Sequence, residues 1–291
     1  MTDIILLDGG MGQELVHRAG DNPTALWSTQ VMLDHPGLVA EVHNDYRKAG
    51  ATLHTTNTYA IHRDRLVHAG IEDQFETLLR AALNEASGIG AVAGAIGPLI
   101  ASYRPDIHPP HAEAVPLYAE IANIIAPDVD LILCETVASV AMGKAVLEAA
   151  LPTGKPVWLA FTVDDHDGSK LRSGEDVAEV LQFTDASALL INCASPEAIT
   201  TAMDILAKGD LPFGAYANGF TKITDGFLED NPTVDALTAR KDLDPDAYAA
   251  FAMQWIRQGA TIVGGCCEVG PAHIAKMSEV ILAAGHRIVA P

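Results

Sequence analysis

Short apolar runs recur along the chain at Ile4–Leu7, Leu53–Thr55, Ala91–Ala95, Leu131–Cys134, Val157–Phe161, Ala188–Ile191, Phe213–Ala217 and Thr261–Val263. Each gives way to a polar or glycine-bearing stretch and then to an amphipathic segment. Several runs are apolar nearly throughout rather than alternating, the pattern of parallel strands buried on both faces. Between them the period changes to 3.6. Val39, Val42, Tyr46 and Ala49 share a helical face, as do Phe75, Leu78, Leu79, Ala82 and Ala86. Tyr248, Phe251, Ala252 and Trp255 repeat the spacing, and so do Ile274, Met277 and Ile281. Pro36, Pro196, Pro245 and Pro271 stand where a first helical turn tolerates a missing N–H. Eight strand–helix units in 291 residues predict an α/β fold, a single (β/α)8 TIM barrel spanning 1–291 as one domain. The longest irregular stretch, residues 222–244, reads as an excursion of the barrel rim, not a boundary.

The active site of such a barrel gathers where its strands end. The residues just past the apolar runs are Asp8, Thr56-Asn57, Gly97-Pro98, Glu135, Thr162, Asn192-Cys193, Asn218 and Cys266-Cys267. A barrel built only for stability has no use for carboxylates, amides and three thiols at one rim. The competing fold is a doubly wound sheet with a nucleotide site. Asp8-Gly9-Gly10-Met11-Gly12 follows the first strand, but it is neither G-x-G-x-x-G nor a phosphate loop with its lysine. Those glycines read better as letting backbone approach a small ligand.

Hydrophobic residues make up 49% of the chain and the mean hydropathy is +0.18, so a large core is expected and disorder is not. Eighteen basic against 38 acidic residues give a formal charge of −20. That charge repels phosphate backbones and anionic lipid, so neither nucleic acid nor membrane is expected as a partner. No basic and long apolar leader precedes Ile4, and four cysteines do not form a disulfide framework; a reducing, cytoplasmic location is the expectation.

Three of those four cysteines carry the most chemistry. Cys193, Cys266 and Cys267 follow apolar runs, whereas Cys134 lies inside one and reads as a small hydrophobe. Three thiolates are a soft ligand set for zinc, one short of the four that close a structural site. Neighbouring residues of a strand point to opposite faces, so Cys266 and Cys267 can share a metal only if the chain leaves strand geometry there. Gly264, Gly265 and Gly270 permit that turn. A vicinal disulfide is the alternative, and it would leave Cys193 unexplained. Histidine-based metal sites and a Ser-His-Asp hydrolase lack their motifs. Asp8 and Glu135 read as substrate-binding carboxylates, with partners of rim N–H groups as the bland alternative. Thr56, Asn57, Thr162 and Asn218 could equally satisfy loop backbone.

These residues together resemble the homocysteine S-methyltransferase family, nearly end to end. The resemblance is carried by Leu6-Leu7-Asp8-Gly9-Gly10-Met11-Gly12, Ala25-Leu26-Trp27-Ser28, Thr56-Asn57-Thr58-Tyr59, Gly94-Ala95-Ile96-Gly97-Pro98 and Cys134-Glu135-Thr136. Ile191-Asn192-Cys193 and Gly264-Gly265-Cys266-Cys267, followed by Pro271 and His273, complete it. The chain departs from the family at Glu268-Val269-Gly270-Pro271, at Leu99-Ile100-Ala101-Ser102-Tyr103 and at Tyr216-Ala217-Asn218.

The resemblance implies zinc on Cys193, Cys266 and Cys267 and methyl transfer to the sulfur of homocysteine, forming methionine. It implies that Asp8 and Glu135 hold the amino group, assisted by backbone near Gly9 and Gly10, with Thr56 and Asn218 as candidates for the carboxylate end. The donor is expected to be of sulfonium or quaternary-ammonium type. A chain ending at Pro291 is expected to leave no room for folate and cobalamin domains. Two alternatives stay open: a thiol-activating component of a multi-protein system, and a zinc-binding barrel without catalysis. Oligomeric state is not legible.

Overall fold

The computed structural model describes residues 1–20, 24, 26–228 and 237–291. Its strands are β1 (Asp3–Leu6), β2 (Leu53–Thr55), β3 (Ala91–Ile96), β4 (Leu131–Val137), β5 (Val157–Phe161), β6 (Ala188–Asn192), β7 (Phe213–Ala217), β8 (Ile262–Gly265) and β9 (Arg287–Ile288). They form one curled, parallel nine-stranded sheet in the order β2-β3-β4-β5-β6-β7-β8-β1-β9. The free edge of β2 comes back to β1 through a parallel bridge, Leu7 to Leu53. Asp8 N donates to Leu53 O at 3.1 Å and Thr52 N to Leu6 O at 2.7 Å.

The sheet is dry on both sides. Leu7, Leu53, Leu131, Leu133, Trp158 and Leu190 pack together on the inner face. Their neighbours Leu6, Ile132, Cys134, Leu159, Leu189 and Ile191 join the outer cluster with the helices. Burial on both faces is why the runs are apolar at successive positions. The helical stripes lie as their period requires. Val39, Val42 and Tyr46 are buried on α3 (Leu38–Ala49), which follows α1 (Met11–Arg18) and α2 (Trp27–Asp34). After α4 (Arg63–His68), Phe75, Leu78, Leu79 and Ala82 are buried on α5 (Phe75–Glu85). α6 (His111–Ile125) and α7 (Val140–Ala150) follow β3 and β4. Pro196, Pro245 and Pro271 open α8 (Pro196–Leu206), α9 (Pro245–Arg257) and α10 (Pro271–Ala283).

Three features depart from the sequence reading. Pro36 lies before α3 rather than in its first turn, because Gly37 caps that helix in a left-handed conformation at φ 92°. β4 continues through Glu135 to Val137, with a register shift between Cys134 and Val137. β9, two residues long, pairs outside β1. Within residues 222–244, positions 229–236 lie outside the described residues, as does Ala25. Among the described residues, no helix is long and apolar enough to cross a membrane.

Candidate active site

Strand parity sets what faces the cleft at the C-terminal ends of the strands. Leu131 and Leu133 point inward on β4, so Glu135, two residues further, continues on the inner side; Tyr216 of β7 is inward too. They meet there: Tyr216 Oη donates to Glu135 Oε2 at 3.0 Å. Asp8, just past β1, accepts from Thr55 N at 2.8 Å and from Thr55 Oγ1 at 2.9 Å across the β1–β2 seam. Both carboxylates line one cleft of about 870 Å³, its open mouth included, together with all three rim cysteines.

The electrostatics of this pair are unbalanced. Asp8 is 1% exposed and Glu135 9%. Burial drives the Asp8 carboxyl up to about 8 against the pull of its Thr55 bonds, and the charge of Glu135 adds to the rise. Burial likewise raises Glu135 to about 7, the Tyr216 hydroxyl opposing it. Two histidines beside Asp8 do not relieve it. His43 of α3 and His54 of β2 bring ring nitrogens within 4.8 Å of its carboxylate and of each other. Burial lowers His43 to about 3, helped by His54, and lowers His54 to about 4, helped by Arg47, so both rings are neutral. No lysine or arginine lines the cleft among the described residues. A cation carried by a ligand is what this pair lacks.

The three sulfurs converge from two strand ends. Cys193 follows β6 with φ 50°, and Cys266-Cys267 follow β8 in a turn completed by Glu268 at φ 64°. Leaving strand geometry is what lets adjacent cysteines face one point, and the three sulfurs lie within 4.8 Å of one another. Cys193 and Cys266 are joined as a disulfide with Cα atoms 5.8 Å apart, while Cys267 is free. The link therefore spans the two strand ends and not the vicinal pair offered as the alternative, whose Cα atoms one peptide unit holds at about 3.8 Å, closer than disulfides usually allow. The Cys267 thiol is pushed up to about 12 by burial, then by the charges of Glu268 and Glu135. A thiolate there needs a positive ion beside it. Once Cys193 and Cys266 are reduced, the set fits a soft cation, three sulfur donors with no protein cation competing for them.

The other expected residues divide. Gly9 and Gly10 line the cleft, but their lack of a side chain serves a protein contact: a Cβ would lie 2.0 Å from Val269 O at Gly9 and 2.5 Å from Cys266 O at Gly10. They let the β1 turn pack on the cysteine turn. Thr56 lines the cleft with its hydroxyl already engaged by Ala95 N at 3.0 Å and by Thr58 Oγ1 at 2.7 Å. Asn57 lines it as well, its amide donating to Ser28 O at 3.3 Å. Asn218 does not line it; its side-chain oxygen takes Phe220 N at 3.1 Å and so shapes the loop after β7. Thr162 holds the cysteine turn, donating to Cys193 O at 3.2 Å. Cys134 is buried on the outer face of β4, away from the other thiols.

Residues that sequence position did not single out supply the walls. Trp27, Tyr59, Tyr103, Tyr216 and Phe220 present aromatic rings to the cleft. Trp27 and Tyr103 hold φ 48° and 64°, and Thr136 beside Glu135 holds 57°. Strained backbone of this kind costs roughly 1–3 kcal/mol per residue, and four of the six non-glycine residues at positive φ among the described residues, Trp27, Tyr103, Thr136 and Cys193, line the cleft.

A family model described as Homocysteine S-methyltransferase matches residues 5–281. A homocysteine S-methyltransferase of Escherichia coli (strain K12) is 30% identical, over 94% of this chain and 94% of its own. Two solved forms of the homocysteine methyltransferase MmuM from Escherichia coli superpose on this fold. The metallated form gives a TM-score of 0.78 at 28% identity, covering 96% of each chain. The oxidized form gives 0.79 at 27% identity, covering 95% of this chain and 96% of its own.

Proposed function

The chain belongs to the homocysteine S-methyltransferase family, and we propose that it moves a methyl group from a cationic sulfonium or quaternary-ammonium donor to the thiol of homocysteine, forming methionine. The observation that carries this reading is the meeting of three sulfurs, two buried carboxylates and five aromatic residues in a cleft without a basic side chain among the described residues. The curled sheet is read as a closed (β/α)8 barrel of one domain over residues 1–291, with the Leu7–Leu53 bridge as its seam. Closure puts the ends of β1, β4, β6 and β8 around one mouth.

Cys193, Cys266 and Cys267 would hold zinc, which supplies the positive charge that keeps a substrate thiol ionised near neutral pH. Asp8 and Glu135 receive the ammonium of homocysteine. The missing positive charge then arrives with the substrate, and Thr55 and Tyr216 keep both carboxylates aimed. Trp27, Tyr103 and Phe220 favour a donor whose methyl sits on a positive centre, since ring faces attract cations by ~0.5–1 kcal/mol at exposed sites and ~2 kcal/mol or more when desolvated. In the transfer the substrate sulfur's electron pair forms the new S–CH3 bond while the old bond's pair stays with the donor heteroatom. The donor becomes neutral, loses its attraction to the rings, and leaves.

The test is methionine formation by the reduced, zinc-loaded protein with homocysteine and S-methylmethionine, S-adenosylmethionine, betaine or methylfolate. Product from a sulfonium or quaternary-ammonium donor is expected; product from methylfolate alone overturns the donor assignment. Homocysteine binding with no transfer from any donor would make the chain a thiol-activating component instead.

A further inference from the structure

The segment after β5 reads as a solvated acidic turn, Asp164-Asp165-His166-Asp167-Gly168. Two of its three carboxylates behave so. Asp164 caps His166 N and Asp167 N at 2.8 and 2.9 Å, and Asp167 takes Ser169, all at the surface. Asp165 turns inward, its side chain 6% exposed. Its Oδ1 accepts from Ser195 N at 3.0 Å and its Oδ2 from Ile223 N at 3.0 Å and Arg172 Nη2 at 2.7 Å. Its own carbonyl accepts from Ser195 Oγ at 3.2 Å.

None of the three partners lines the cleft itself, but each adjoins a residue or turn that does. Ser195 lies two residues past Cys193 and caps α8. Ile223 opens the loop after β7 and packs with Cys193 and Tyr103. Arg172, 12% exposed, lies with its guanidinium carbon 5.3 Å from the centre of the Tyr103 ring. Tyr103 comes from the loop after β3 and lines the cleft. One carboxylate thus joins the turn carrying Cys193, the loop after β7 and, through Arg172, the aromatic wall after β3. A buried pair of this kind is rigid because either partner alone would be left uncompensated.

We infer that Asp165 is a positioning residue for the methyl donor: it holds Tyr103 and Ile223 in register with Cys193, so its loss weakens donor binding while leaving the homocysteine end intact. The inference rests on the donor reading above and concerns the Tyr103–Ile223 side of the cleft, while Asp8 and Glu135 are held by other partners, Thr55 and Tyr216. Asp165→Asn keeps the shape but loses the charge and turns an N–H donor either toward Ser195 N or toward Ile223 N and Arg172, where only an acceptor fits.

Calorimetric binding to the reduced, zinc-loaded full chain separates the two ends without depending on turnover, with trimethylsulfonium, a cation without an amino-acid end, as the probe and homocysteine as the acceptor. Asp165→Asn is expected to weaken the probe about tenfold or more and homocysteine less than twofold, at unchanged zinc content. Arg172→Lys, which keeps the ion pair and loses the flat face over Tyr103, is expected to weaken the probe a few-fold without lowering the melting temperature. Hydrogen exchange should show Ser195 and Ile223 losing protection together in Asp165→Asn. Equal weakening of both ligands, loss of zinc, or wild-type probe binding in Arg172→Lys would each overturn the role. Absence of probe binding in the unaltered protein would overturn both the donor reading and this inference. If instead the unaltered protein binds the probe and both variants do as well, only the role of Asp165 is lost.

Discussion

The two halves of the cleft are finished to different degrees. On the β1–β4 side each carboxylate has a protein partner: Asp8 is held by Thr55 and Glu135 by Tyr216. On the β6–β8 side the protein supplies geometry without partners. Thr162 and strained backbone place Cys193, yet two sulfurs bond each other and the third stays a high-pKa thiol. The carboxylate half is prebuilt and lacks a mobile positive charge. In the function proposed above, a substrate ammonium answers the first deficit and a soft metal on all three sulfurs completes the thiol half, so changes in the two halves should fail in different ways.

The largest effect belongs to the unpartnered half. Cys267→Ala leaves two of three sulfurs, and methyl transfer should fall about a thousandfold or more, since metal assistance is worth several kcal/mol and ~1.4 kcal/mol is a factor of ten. Zinc measured by atomic absorption in the reduced protein should fall with it, while Cys134→Ala should retain both metal and activity. Full zinc retention in Cys267→Ala would end the assignment.

The carboxylate half should answer to pH instead. Asp8 at about 8 and Glu135 at about 7 are largely protonated at pH 6 and ionise as pH rises. An ammonium binds the ionised forms, so affinity should climb between pH 6 and 8.5. The ionised fraction of a group at 7 rises from about 0.1 to nearly 1 over that range, about tenfold, and Asp8 adds to it. Methionine is the ligand to use, because it has no thiol proton to confuse the profile. Binding near pH 7 should also release protons, seen as heats that depend on the buffer. A flat profile would show that the carboxylates do not meet the amino group. For the free protein the sign is opposite. Folded values above the unfolded ones mean stability falls as pH rises from about 4 to 8, and a bound ammonium restores it.

Glu135→Gln separates the halves directly. A charge-assisted contact of about 1.5–3 kcal/mol is weakened, so homocysteine should bind about tenfold more weakly. Zinc content should be unchanged, and a thiol lacking the amino group should be nearly indifferent. If zinc is lost, or the simple thiol suffers equally, Glu135 serves the metal half and the division is wrong.

Much of this arrangement was legible in the chain, for identifiable reasons. β5 and β7 begin and end where their apolar runs do, because burial on both faces leaves no charged or strongly polar residue inside. Asp8, Glu135 and the three cysteines stand out because each breaks such a run at its carboxyl end. The partners that tune them do not. Tyr216 reaches Glu135 from 81 residues away by strand parity, and as an aromatic in an apolar run it looks like core. Thr55 reads as strand, and His43 sits on the buried stripe of α3. Asp165 is hidden among acidic neighbours that do face water. Gly9 and Gly10 read as room for a ligand, but the room is taken by the cysteine turn. Asn218 follows a strand like the others, yet its side-chain oxygen serves its own loop, while its Nδ2 is buried without a hydrogen-bond partner among the described residues.

The smallest effect tests how finished the carboxylate half is. Tyr216→Phe removes one hydroxyl and leaves a ring that still fills the inner face between Leu190 and Ile262. Glu135 then loses its one hydrogen bond, a contribution of about 0.5–1.5 kcal/mol, so amino-acid affinity should drop about threefold and by no more than tenfold. The direction of its titration is the sharper readout. The Tyr216 hydroxyl holds Glu135 down against burial, so without it the carboxyl should titrate higher than its present value of about 7. The rise of methionine affinity with pH should therefore move to higher pH in Tyr216→Phe, with the high-pH plateau nearly recovered because the ionised carboxylate is still in place. A drop of the same size at every pH would mean that Tyr216 contacts the ligand itself. A loss of zinc would mean that the two halves share their supports, and the contrast between a prebuilt and an ion-completed half would not hold.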